Sequence, residues 1–493
     1  MEKLMKSELK MFLDETMWDG KIFTGQWVPG VTTQPVVEPA TGMPLTQVGW
    51  ADPAQVAASS AQAAVAQRRW VGMPYHDRAA IFRRAADLLA ANKEEIITWI
   101  MRETGAIAPF AEFQVGGVQV ILQEAAAMLT QSNGIMLPSD GQRLSFARRQ
   151  PHGVVGVISP FNVPFVLSMR SVAPALATGN TVVLKPDPQT AITGGYLIAR
   201  LFEAAGLPEG CLHVLPGGAD AGQALVENRH IAMISFTGSS QVGRRVGEQA
   251  SRQLKKVTLE LGGKNRLIIL DDADMERALS CAAWGAFLHQ GQICMATGLV
   301  LVHEKIADEF VHRLVEKAKA LPVGNPMGRD VALGPIINAK QRDAVHAIVE
   351  DSVAQGCRLE TGGTFDGLFY RPTVLTNVRP GTRAFDDEVF GPVLSVATFA
   401  SDDEAVELGN MTEYGLSLGV ISKSIGRALD IGNRVPTGLL HINDQTVADE
   451  GHIPFGGRGA SGNGGRHGGH ANWDEFTQWQ WVTIKDTPTL YPF

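Results

Sequence analysis

The chain predicts an α/β protein built on mostly parallel sheets with helices covering both faces. Two observations lead there. From Val154 onward, short β-branched runs alternate with helix-like segments, the pattern of repeated strand–helix–strand units. The 493 residues, 45% hydrophobic and 19% charged, suffice for two or three domains of ordinary size with substantial cores.

In chain order, Met1 to Trp18 carries charges throughout, with neither an apolar core nor a small-residue cleavage site, which argues against export. Asp52 supplies an N-cap and Pro53 a first helical position for an Ala-rich helix reaching Arg69. From Asp77 to Glu103 apolar residues recur at helical spacing through Ile81, Ala85, Leu88, Ile96 and Ile100, predicting one helix that Gly105 stops. Between Gln131 and Gln150 the turn signals Asn133-Gly134 and Asp140-Gly141 separate short runs and predict an extended hairpin. With the aromatic tail around Trp479, Trp481 and Phe493, it forms a candidate subunit-contact element. The most apolar stretch, Gly153 to Met169, is interrupted by Ser159, Pro160, Asn162 and Pro164 and ends at Arg170, so it reads as strand, turn and helix rather than a membrane span.

Strands are predicted at Val154–Ile158, Thr181–Leu184, Leu212–Leu215, Met233–Phe236 and Lys256–Leu259. Such a sheet binds nucleotides at the carboxyl ends of its strands, where Lys185, Thr237 to Ser239 and Glu260 fall. A second α/β series follows Gly263, with a strand at Leu267–Leu270, a helix from Asp274 towards His289 and a strand at Leu299–His303, leaving Cys294 in a loop after a helix.

Charge and cysteine usage exclude several functions. A net charge of −8 offers no basic footprint for nucleic acid. Cys211, Cys281, Cys294 and Cys357 are widely spaced and never C-x-x-C, which suggests neither zinc nor disulfides and points to the cytoplasm. His467 and His470 sit at i, i+3 in a glycine-rich loop without an acidic or Cys partner, so no metal site is expected.

The chemistry centres on Cys294, in His289-Gln290-Gly291-Gln292-Ile293-Cys294-Met295, and Glu260, 294 − 260 = 34 positions before it. A thiolate attacks carbonyl carbon readily and leaves a thioester that water can open, so the pair suggests covalent acyl chemistry. In Phe236-Thr237-Gly238-Ser239-Ser240-Gln241-Val242-Gly243 a strand runs through glycine into a helix, letting backbone N–H groups approach a cofactor, although the G-x-G-x-x-G spacing is absent. Asn162, between Pro160 and Pro164, could donate its amide to an oxyanion.

These segments, with Leu184-Lys185-Pro186, Leu259-Glu260-Leu261-Gly262-Gly263, Asp387-Glu388-Val389-Phe390-Gly391-Pro392 and Pro454-Phe455-Gly456-Gly457, occur in the order seen in the aldehyde dehydrogenase superfamily, and the resemblance covers nearly the whole chain. Within it, Val154 to Asn180, His289 to Met295 and the ending Tyr491-Pro492-Phe493 are most similar to bacterial benzaldehyde dehydrogenases. The resemblance implies a Rossmann-type cofactor domain (1–127 and 152–262), an α/β catalytic domain (263–460) and a small β oligomerisation element (128–151 and 476–493) that makes a homodimer or homotetramer.

It also implies roles for individual residues. Cys294 matches the nucleophile, Asn162 with the Cys294 N–H the oxyanion hole, and Glu260 the base that activates water. Ser159, Pro160, Phe161, Lys185, Thr237, Gly238, Ser239, Gly243, Leu261, Glu388 and Phe390 match positions around NAD, Lys185 at the adenosine ribose, Glu388 and Phe390 at the nicotinamide ribose and ring. Pro188 stands where NAD-specific members usually carry a glutamate, so NADP is admitted as well. Val163, Leu167, Ile293, Met295 and Phe455 match the substrate tunnel, and small Val163 leaves room for a flat ring. The expected activity is oxidation of an aromatic aldehyde, benzaldehyde or a ring-substituted relative, to the acid. The alternatives are aliphatic or terpenoid aldehydes, and a non-catalytic protein on the same fold. Arg170, where a bulky apolar residue is common in the family, has no role by this reasoning beyond a salt bridge or a polar tunnel entrance.

Overall fold

The computed structural model describes residues 12–139, 141, 143–328 and 330–493. The first large sheet runs in the order Lys256–Glu260, Ile231–Thr237, Val154–Ile158, Thr181–Lys185, Leu212–Val214, then the hairpin Lys21–Phe23 and Trp27–Pro29. Its first five strands are parallel, and most of their Val, Ile and Leu side chains are buried, as a sheet covered twice by helices requires. The second sheet runs Arg358–Thr361, Thr373–Thr376, Val393–Phe399, Thr297–His303, Asn265–Ile269, Ser417–Ile421, Leu439–Ile442, with only the first strand antiparallel. Separate hydrophobic clusters fill its two sides.

Local signals set many boundaries. Asp52 accepts from the Gln55 N–H at 2.8 Å and opens the helix Pro53–Val71. Gly105 closes a helix at φ 73°, a conformation that costs glycine little. Three expectations need correction. The helix read from Asp77 to Glu103 is two, Tyr75–Ala91 and Lys93–Thr104, because Asn92 leaves helical geometry and turns its side-chain amide onto the Leu88 carbonyl. Lys185, Thr237 and Glu260 are the last residues of their strands rather than the first beyond them. Asn133-Gly134 is not a hairpin turn, since Gly134 already begins the strand Gly134–Met136, which pairs with Leu144–Pro151; the Asp140 of the other turn signal lies outside the described residues.

The strand Thr477–Ile484 adds to the other edge of Leu144–Pro151, forming a three-stranded antiparallel sheet that stands apart from the two large ones. Residues following the second sheet return to the first: Gly462 bridges to Glu260, and the helix Ala471–Phe476 packs on Pro164–Ala177. Glu260 is thereby held between strand and return segment. No single helix among the described residues is long and apolar enough to cross a membrane.

Candidate active site

Glu260 and Cys294 line one cavity of about 290 Å³, opening where the carboxyl ends of the first sheet face the second. A sharp turn delivers the cysteine. His289, Gln290 and Gly291 lie at φ 49°, 57° and 67° in succession, and a Cβ on Gly291 would come within 2.2 Å of the Gly391 carbonyl. The loop is tied from behind, since Asn265 Nδ2 donates to the carbonyls of Cys294 at 2.7 Å and Ala296 at 2.9 Å. Asn162 enters from the turn before Pro164–Ala177; His289 Nε2 holds its backbone carbonyl at 2.8 Å. Burial pushes that imidazole down to about 4, so the neutral ring donates there, stacked on Phe110 at 4.5 Å. The Asn162 side-chain amide makes no hydrogen bond among the described residues.

Burial dominates the electrostatics. It raises the Cys294 thiol to about 12, with Glu388 and Glu260 adding and Arg170 opposing. It raises Glu260 well above the usual carboxylate range, against the pull of Arg170 and Arg466. Neither Glu260 oxygen makes a hydrogen bond of good geometry, although the nearby Gly457 amide favours the ionised form. Burial thus disfavours the ionised form of both groups, and ionising either one leaves a base or a nucleophile within the same enclosure.

One side of the cavity is suited to a dinucleotide. Thr237, Gly238 and Ser239 line it at the start of the helix Ser240–Arg252, which Ser239 caps, presenting N–H groups to an anion. Glu388 accepts from the Gly263 N–H at 2.9 Å, and a Cβ on Gly262 would lie 2.1 Å from its carboxylate. Phe390, at φ 53°, sets its ring edge-to-face with Phe161 at 5.8 Å, and Pro160 and Leu261 complete the wall. Ser159, Lys185 and Gly243 do not line it. Ser159 bonds Ser168 at 2.7 Å, Lys185 donates to the Pro186 carbonyl, and Gly243 packs under Leu261. Asp187, beside Pro188, caps the turn Pro188–Thr190, accepting from the Gln189 N–H at 2.9 Å.

On the far side of Cys294 and Asn162 lies a narrower, largely apolar cavity with Val163, Leu167, Ile293, Met295 and Phe455 in its walls. Sequence reasoning missed Phe110, Phe113, Val166, Val447 and Asp449 there, and Gln341, Ala344 and Ile348 on the first side. The i, i+3 aromatic pair Phe110/Phe113 was the only local signal. Arg170 now has an explanation: it is buried, ion-paired to Asp449, with its guanidinium 4.4 Å over the Phe455 ring. Its Nη1 and the Asp449 Oδ1 remain without partners at the cavity wall. Among the described residues no His, Cys, Asp or Glu group could hold a metal.

Residues 27–482 match the model of the aldehyde dehydrogenase family. The chain is 54% identical over 484 residues to a vanillin dehydrogenase of Amycolatopsis sp., spanning 98% of this chain and 100% of that protein. It is 49% identical to a benzaldehyde dehydrogenase [NAD(+)] of Pseudomonas putida, over 97% and 99% of the two chains. A solved salicylaldehyde dehydrogenase from Pseudomonas putida G7, complexed with salicylaldehyde, superposes with a TM-score of 0.92 at 35% identity, over 96% and 99%.

Proposed function

Because the chain belongs to the aldehyde dehydrogenase family, we propose that it oxidises an aromatic aldehyde to the carboxylic acid with NAD, through a thioester on Cys294. The observation that carries this reading is that Cys294 and Asn162 stand at the junction of two cavities, one with a helix N-terminus, Glu388 and Phe390, the other narrower and largely apolar. The activities named for the vanillin, benzaldehyde and salicylaldehyde dehydrogenases support the aromatic substrate.

The aldehyde enters beside Val163 and Leu167; Cys294 gives its thiol proton to ionised Glu260, which passes it on to solvent, and the thiolate attacks the carbonyl carbon, giving a thiohemiacetal whose oxyanion meets Asn162 Nδ2 and the Cys294 N–H. Such preorganised donors are worth roughly 3–4 kcal/mol in acyl-transfer enzymes. NAD would supply the hydride acceptor when bound; Ser239 and the helix it caps would hold its pyrophosphate, Glu388 its nicotinamide ribose, and Phe390 and Phe161 the ring. Loss of hydride from the substrate carbon leaves the thioester. Glu260 then takes a proton from water, which opens the thioester and frees Cys294. No side chain among the described residues hydrogen-bonds either Glu260 oxygen, which favours this second duty.

The four cysteines are free, which supports a reducing compartment such as the cytoplasm. The absence of a glutamate at Pro188, with Asp187 engaged by the Gln189 N–H, supports some turnover with NADP. The deciding experiment is a kcat/KM panel of benzaldehyde, vanillin and hexanal with each cofactor. Benzaldehyde or vanillin should exceed hexanal by at least tenfold; a clear preference for hexanal overturns the aromatic assignment.

A further inference from the structure

The apolar cavity beyond Cys294 contains a feature that oxidation of a plain benzaldehyde does not use. Arg170 and Asp449 both line it, the only charged side chains among its described wall residues, in company with Phe113, Val166, Leu167 and Val447. They form an ion pair with 7% and 11% of their side chains exposed. Taking two ions out of water costs about as much as their attraction returns, and well-packed apolar side chains of similar volume often hold a fold together as well or better. Stability alone therefore gives little reason to place such a pair in an apolar wall.

The pair is also far from saturated. Among the described residues Arg170 Nη2 donates to Asp449 Oδ2, while Arg170 Nη1 and Asp449 Oδ1 have no partner. What remains is a cationic donor beside an anionic acceptor. A hydroxyl group answers both at once, its oxygen accepting from the guanidinium and its proton going to the carboxylate, whereas an ether or carbonyl oxygen can only accept. The helix Pro164–Ala177 fixes where that hydroxyl must be. Val163, Val166, Leu167 and Arg170 stand at i, i+3, i+4 and i+7 from its N-cap and all line the cavity, which makes them one face of the helix. Asn162 comes just before this stripe, so the aldehyde group sits at its start, and Arg170 lies two turns further on, roughly 10 Å along the axis. On a benzaldehyde the 4-position points directly away from the aldehyde carbon. An oxygen there reaches farthest along the stripe, towards Arg170, whose guanidinium is held 4.4 Å over the Phe455 ring.

We propose that Arg170 and Asp449 select the substrate by a ring hydroxyl opposite the aldehyde group, so that 4-hydroxylated benzaldehydes are the preferred class. This assignment rests on the aromatic aldehyde oxidation proposed above and names the substrate within it. A bare ring leaves the remaining donor and acceptor of the pair unfilled in a cavity from which it has displaced water, and that penalty discriminates against it. A 4-methoxy ring separates recognition from reactivity, because it influences the carbonyl much as a hydroxyl does and has no proton to give Asp449.

The test compares kcat/KM for 4-hydroxybenzaldehyde, 4-methoxybenzaldehyde and benzaldehyde in the full-length wild type and in the paired variant Arg170→Met/Asp449→Leu, which removes both charges and keeps the wall filled. The wild type should favour the hydroxyl compound over each of the others by about tenfold or more, and the paired variant should lose that preference. Ratios cancel whatever the loss of Arg170 does to Cys294 and Glu260, since all three substrates share them. Asp449→Asn, nearly the same shape, should reduce the preference in the same direction, and serves where the paired variant does not fold. No preference in the wild type, or an undiminished one in the variants, overturns the proposal. Calorimetric titration of 4-hydroxybenzamide against benzamide, neither of them an aldehyde, reads the same contact without turnover. A protein that oxidises no aldehyde, yet binds 4-hydroxybenzamide about tenfold more tightly and loses that margin in the variants, would end the proposed reaction and leave the subsite standing; equal affinities in a protein that does oxidise benzaldehyde would end the subsite alone.

Discussion

Cys294 starts with a handicap as a nucleophile: buried beside two acids, its thiol is held near 12. Only the thiolate reacts, so its fraction should rise about tenfold per pH unit below that value. Inactivation of the free enzyme by iodoacetamide should accordingly steepen from pH 7 to 10 without levelling off; a plateau below pH 8 would mean that Arg170 or an unseen donor outweighs burial. The same enclosure separates the duties of the two residues. Cys294→Ala should lower turnover by more than about a thousandfold. Glu260→Gln should instead let the first turnover proceed and stall at the thioester, seen as a burst of reduced cofactor and an acyl adduct in quenched protein. Both residues, with Asn162, could be singled out from residue type and local motif, and the structure brings all three to one cavity. The role of Arg170 could not be read that way, because its partner Asp449 is 279 positions away.

At the scale of elements, one buried carboxyl organises a junction that no motif announces. Glu103, at the end of Lys93–Thr104, accepts from the backbone N–H groups of Ile192 at 2.8 Å and Thr193 at 2.7 Å, and from the Thr193 hydroxyl. There the chain makes a π-helical turn, Ile192–Tyr196, before Leu197–Ala204. Burial outweighs these donors and lifts the carboxyl to about 7. The folded protein thus holds the proton more tightly than the unfolded chain, where the carboxyl titrates near ~4.3. Its contribution to stability is complete below that value and is lost as pH rises through 7. Relative to Glu103→Gln, the wild-type Tm should fall between pH 5 and pH 8; parallel curves would refute the assignment. The break at Asn92 escaped the sequence reading for a related reason: the apolar spacing keeps its phase across the break, so periodicity reports one helix where hydrogen bonding makes two.

For the whole molecule, the small sheet is the conspicuous surface. Trp479, Trp481, Ile135 and Met136 are all exposed, with Arg149 lying 4.3 Å over the Trp479 ring. An apolar ribbon with a free strand edge is an association surface, and a second copy of the chain is the expected occupant. The full chain should sediment as a dimer or tetramer and a chain ending after Phe476 as a monomer; an assembly unchanged by the truncation would place the contact elsewhere.

The sequence by itself determined which chemistry was available and which strands and helices would carry it, because caps, turns, periodicity and short motifs act over a few residues. Tertiary structure alone decided that Glu260 and Cys294 share an enclosure, that Arg170 meets Asp449, and that this pair borders the apolar cavity. Those facts depend on which distant segments exclude water from one another, and the cost of an unpaired charge, like the rise of a buried thiol's pKa, exists only once that water has gone.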